Sequence, residues 1–221
     1  DLGQLVEHEV GVHVLTALNG RAQPALPILA SAHPGTTCTQ EGLAVFAELV
    51  TGRMTIGRFR HLADRVLAVD MALDGADFIE VYRFFRERTE SREQAFENAR
   101  RVFRGGRVTG GIAFTKDIVY LDGLLRVHNF MRAAVALGRA DLLPLLLAGK
   151  LDIEDVPALA RLSAEGLCRP PRYLPAWMAD LRFLLGQLAY SAFLNRVDLE
   201  RLRGHYAALV GDAPRCPAGR A

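Results

Sequence analysis

Apolar residues recur at helical spacing along nearly the whole chain, and this periodicity constrains the fold more than any other feature. Leu2, Leu5, Val6, Val10, Val12, Val14, Leu15 and Leu18 open the pattern, and Asn19-Gly20 follows with residue types that stop a helix. A second helix is expected from near Thr39 through Leu43, Phe46, Ala47 and Val50 to Gly52, because Thr37 and Gln40 have the spacing of a capping box. Further helical stretches fall at 55–74, 77–88, 91–103, 117–138, 153–164, 176–194 and 198–210. A mainly α fold is expected.

Two segments interrupt the pattern. Residues 21–36 carry Pro24, Pro27, Pro34 and Gly35, which predict a loop without regular structure of its own. Residues 104–116 carry Gly105, Gly106, Gly110 and Gly111 before Ile112, Ala113 and Phe114, which predict a short strand or hairpin, the one β element of an otherwise helical fold. No internal repeat or long linker divides the 221 residues. They read as a single domain over 1–221, with catalytic helices in 1–52, the glycine-rich segment at 104–116 and C-terminal helices over 117–210.

The formal charge of +2, from 27 basic and 25 acidic residues spread along the chain, gives no reason to expect nucleic acid or an anionic membrane as partner. The most apolar run, 142–148, is broken by Pro144 and is far shorter than the roughly 20 residues a membrane span needs. Cys38, Cys168 and Cys216 are widely separated and lack metal-type spacing, so reduced thiols and a cytoplasmic location are expected. The chain begins at Asp1 and runs almost directly into a motif, so further residues are expected to precede it.

That motif is His8-Glu9-Val10-Gly11-Val12-His13, two imidazoles around a carboxylate, the combination that binds zinc and deprotonates its water. In the common zinc-peptidase helix the histidines are four apart and share a face. Here they are five apart, about 140° around an ideal α-helix. A π-helical distortion would return them to one face, and Gly11 makes it easier. Zinc needs a third protein ligand, and Glu41, in the first turn of the second helix, is the best candidate. Glu48 and His33 are the substitutes, with Glu48 also placed to accept from a ligand imidazole. On residues alone, an equal reading makes His8 and His13 polar residues of an amphipathic helix and Glu41 a solvated capping carboxylate. His61, His128 and His205 sit singly in helical stretches and read as structural.

Three stretches together resemble a known family. They are His8 through Thr16 with Asn19-Gly20, then Thr39-Gln40-Glu41-Gly42-Leu43-Ala44, then Arg104-Gly105-Gly106 through Gly110-Gly111 to Phe114-Thr115-Lys116-Asp117 and Tyr120. They are similar to the QEGLA-motif family, known in bacteria as flavohaemoglobin expression-modulating proteins, which includes the eukaryotic microtubule-associated tyrosine carboxypeptidases. The resemblance implies a zincin-like HExxxH metallopeptidase with Zn2+ held by His8, His13 and Glu41, and Glu9 as catalytic base. It implies a peptide or protein C-terminus as substrate.

A carboxypeptidase must also grip a terminal carboxylate, and Arg104, Arg107 and Lys116 of the glycine-rich segment, with Tyr120 at the oxyanion, are the candidates. Two other readings stand beside this one. The chain could be a regulatory or interaction protein that keeps the fold with little activity, or a metal-dependent hydrolase of non-peptide amides, since the same metal and base serve those carbonyls.

Overall fold

The computed structural model describes residues 2–190 and 199–211. In chain order the helices are α1 (Leu2–Leu5), a π-helical segment (Val6–Val14), α2 (Leu15–Arg21), α3 (Thr37–Val50), α4 (Ile56–Leu73), α5 (Phe78–Arg86), α6 (Arg92–Val102), α7 (Ile118–Ala136), α8 (Val156–Ala164), α9 (Ala176–Ala179), α10 (Leu181–Tyr190) and α11 (Leu199–Gly211). Tight 3-10 turns lie at Pro27–Ala30, Pro34–Thr36, Thr115–Asp117, Ala140–Leu147 and Ile153–Asp155. The fold is mainly α, with no strand among the described residues. The expected helix over 176–194 is broken at Asp180 into α9 and α10. Positions 191–194 and 198, and Cys216, lie outside the described residues.

Contacts divide the chain into two compact units, residues 1–54 with 122–221, and residues 55–121. In the first unit α1, the π segment and α2 follow one another without a break, and α3 packs along the π segment. A helix that is apolar almost all round is a buried helix. In α3, Leu43, Ala44, Val45, Phe46 and Ala47 have no exposed surface. Gly42 allows close packing: a Cβ there would stand 2.3 Å from the Gly123 carbonyl oxygen, and one at Gly123 would stand 2.2 Å from that of Cys38. Only hydrogen at both positions lets α3 and α7 meet backbone to backbone.

Gly20 has the same explanation, and it corrects the expected helix stop. The helix runs on to Arg21 and is capped at Ala22. Gly20 is needed because a Cβ would fall 2.0 Å from the Leu29 carbonyl oxygen. Asn19 does not end the helix either. Its Nδ2 donates to Leu147 O and Tyr173 O, both at 2.8 Å, and its Oδ1 accepts from Tyr173 N at 2.9 Å. The loop over 21–36 holds two of the 3-10 turns where no regular structure was expected. The expected Thr37/Gln40 capping box is also absent: α3 begins at Thr37 with Thr36 as N-cap, and the Gln40 amide is engaged elsewhere.

The second unit closes around Ala68, Val69 and Ala72 of α4, Val81 and Phe85 of α5, and Ala95, Ala99 and Val102 of α6. Each helix starts on a side-chain cap, Thr55, Asp77 or Ser91, accepting a backbone N–H of the first turn. The glycine-rich segment is a set of turns and not the expected hairpin. Gly105, Gly110 and Gly111 have φ of 75°, 84° and 83°, the left-handed region that favours glycine. Its backbone groups are taken by helix ends. Gly111 N donates to Ala72 O and Phe114 N to Val102 O, both at 2.7 Å, while Val108 O accepts from Phe78 N at 2.8 Å. Groups committed to helix ends cannot build a strand ladder.

Candidate metal centre

The nine residues Val6–Val14 are π-helical, and Leu15 N reaches back five residues to Val10 O. This wider turn brings positions five apart onto one face. The His8 and His13 rings accordingly stand 5.1 Å apart, centre to centre, edge to face. A Cβ at Gly11 would touch only Glu7 at 3.3 Å and Val6 O at 3.8 Å, so its small size eases the bend without being demanded by packing. Glu9, on the same segment, is exposed.

Helix α3 supplies the carboxylates. Glu41 Oε2 lies 3.4 Å from His8 Nε2 and 3.5 Å from His13 Nε2. One ligand atom from each of the three residues lies within 4.8 Å of the others, a group that can hold a metal ion. Ligand atoms about 2.0–2.1 Å from a tetrahedral ion stand about 3.3 Å from one another, and the two imidazole-to-carboxylate separations are close to that. Two turns along α3, the fully buried Glu48 pairs with His8 Nδ1 at 2.8 Å, an arrangement that orients a metal-binding imidazole.

The electrostatics point the same way. Burial works against a charge on His8, but its hydrogen bonds to the Glu41 and Glu48 carboxylates outweigh it and raise its pKa to about 9. Glu48 at Nδ1 and Glu41 at Nε2 thus favour the charged form of the ring from both sides. His33, the substitute ligand, is instead exposed and caps the turn before α3 through Thr36.

A family model described as microtubule-associated tyrosine carboxypeptidase matches residues 1–196. The chain belongs to this family. It is a family of carboxypeptidase-type hydrolases. No curated protein matches the chain. Among the described residues no helix is long and apolar enough to cross a membrane.

The matched region also contains a network that sequence reasoning missed. Lys150 Nζ donates to His13 O at 2.9 Å and to Gln40 Oε1 at 3.0 Å. Thr16 Oγ1 donates to the same Gln40 oxygen at 2.9 Å, and Thr39 Oγ1 to Asp152 at 2.8 Å. These bonds tie the His13 turn of the π segment to the residues beside Glu41. One signal was available: 25 of the chain's 27 basic residues are arginines, so the two lysines, Lys116 and Lys150, stand out.

The four residues expected to grip the substrate all belong to the second unit. Arg104 stands over the Phe114 ring at 5.7 Å, Arg107 and Lys116 are exposed, and Tyr120 is half-buried near Arg101. Of the other histidines, His128 is fully buried, and His205 pairs with Glu154 at 2.6 Å. His61 is half-buried, and its pKa is lowered to about 4 by that burial and by Arg65 and Arg58.

Proposed function

We propose that this protein is a zinc-dependent carboxypeptidase that hydrolyses the C-terminal peptide bond of a peptide or protein, with His8, His13 and Glu41 as metal ligands and Glu9 as general base. The observation that carries the reading is the convergence of His8, His13 and Glu41 across the π distortion, in a chain of a carboxypeptidase family. Three protein ligands leave a position for water, as catalytic rather than structural zinc sites do.

When bound, zinc would acidify a water molecule and polarise the scissile carbonyl. The chain's own residues do the rest. Glu9, adjacent to the ligand His8 but outside the group of three, accepts the proton from that water on its carboxylate. The proton stays on Glu9 until the carbon–nitrogen bond breaks, and then passes to the leaving amine. Glu48 holds the His8 ring by Nδ1, which leaves Nε2 facing Glu41. Lys150 and Gln40 fix the His13 backbone in place.

The test is Glu9→Gln. Turnover of a tyrosine-ending peptide should fall by about 10²- to 10⁴-fold, the range general-base removal produces, with zinc content unchanged. Loss of zinc in this variant, or undiminished turnover, would contradict the role given to Glu9.

A further inference from the structure

Lys150 has more than a positioning role available to it. Its backbone is held firmly: Lys150 N donates to Leu29 O at 2.7 Å, and a side chain at the preceding Gly149 would clash with Leu29. The side chain is half-buried, and both of its acceptors, the His13 carbonyl and the Gln40 amide oxygen, are neutral. Among the described residues no carboxylate stands within 4.0 Å of it, whereas the half-buried Arg65 and Arg101 of the second unit are paired with Asp117. Burial lowers its pKa, and the charges of Glu41 and Glu9 oppose that, so the ammonium lies within electrostatic reach of the ligand candidate Glu41 and of the base.

An ammonium has three donors, and two of them are spent here. Its hydrogen bonds go only to neutral oxygens, so the third donor is open to an anion. The anion that a carboxypeptidase must hold next to its metal is the terminal carboxylate of the substrate, since that group sits one residue from the scissile bond. Lysine suits the task as a compact point charge that can donate to the protein and to a ligand at once.

We propose that Lys150 is the specificity-determining cation that binds the substrate's terminal carboxylate. This rests on the carboxypeptidase reading above and deepens it. It also moves the carboxylate grip from Arg104, Arg107 and Lys116 of the glycine-rich segment into the unit that holds the metal-binding group.

The experiment compares an acetylated pentapeptide ending in tyrosine with its C-terminal amide, on wild-type, Lys150→Met and Lys150→Arg proteins of measured zinc content. Binding of both peptides to zinc-loaded Glu9→Gln protein, with and without Lys150→Met, gives a readout independent of turnover. The wild type should prefer the free acid by about 10- to 100-fold in kcat/KM, the range of a charge-assisted hydrogen bond. Lys150→Met should erase the preference through KM and through peptide affinity, at one zinc per chain, and Lys150→Arg should restore part of it.

Three results would overturn the proposal: an equal loss for both peptides with the preference kept, loss of zinc in Lys150→Met, or a preference that disappears in Arg104→Ala or Arg107→Ala instead. Wild-type protein that carries zinc and cleaves neither peptide would overturn the carboxypeptidase reading itself, and the role of Lys150 with it.

Discussion

The two units treat a buried carboxylate in opposite ways. In the second, Asp117 is almost wholly buried and receives Arg101 at Nε and Nη2, with contacts of 2.7–2.9 Å, while Arg65 stands 3.9 Å away. In the first, Glu48 is fully buried and Glu41 partly so, and both meet His8, a group whose charge depends on what else is bound. A carboxylate closed by guanidinium groups is a structural device, because arginine stays charged under all working conditions. Carboxylates that meet imidazoles form instead a group that can hold a metal ion.

The contrast can be broken from either side. Asp117→Asn leaves Arg101 and Arg65 without their anion, and should destabilise the protein by about 3 kcal/mol in denaturant unfolding, at the low end for a broken buried pair because Arg101 is a third exposed. Its zinc content should not change. If metal were lost instead, the division into structural and functional carboxylates would be wrong.

Glu48→Gln acts on the other unit. A neutral amide can still accept from His8 Nδ1 but no longer strengthens it as a ligand, so zinc affinity should fall about 10- to 100-fold in competition with a chelator. An unchanged affinity would make Glu48 a packing residue.

The smallest effect is a pH dependence. Burial, aided by Arg132, lowers the pKa of His128 from 6.5 to about 4. The unfolded chain therefore takes up the proton first as pH falls. Stability is intact above pH 6.5 and is lost progressively from there down to about pH 4. Between pH 6.5 and 5.5 the wild type should lose about 1 kcal/mol more than His128→Gln, measured by denaturant titration. Equal losses would remove His128 from the account.

Helices were legible wherever apolar periodicity ran uninterrupted, as in α4 through α7, because burial of one face is written directly in the spacing. Local turn chemistry was less reliable. Asn19-Gly20 looked like a helix stop and is a packing contact with Leu29 and the 147 and 173 carbonyls, which no local pattern could show. The glycine-rich segment looked like a hairpin because its helix-end partners, Ala72 and Val102, are distant in sequence or hidden by intervening turns. The five-residue spacing of His8 and His13 predicts a deformed helix if the two histidines share a metal, and the helix is deformed. Lys150 was invisible as a neighbour of the site, being 137 residues from His13.

The central claim is that His8, His13 and Glu41 hold zinc, and elemental analysis of purified wild-type and Glu41→Ala proteins, prepared without chelators, tests it most directly. The account predicts about one zinc per wild-type chain, the stoichiometry of a three-ligand catalytic site, and its loss in Glu41→Ala. A zinc-free wild type, or a Glu41→Ala protein with full zinc content, would contradict it.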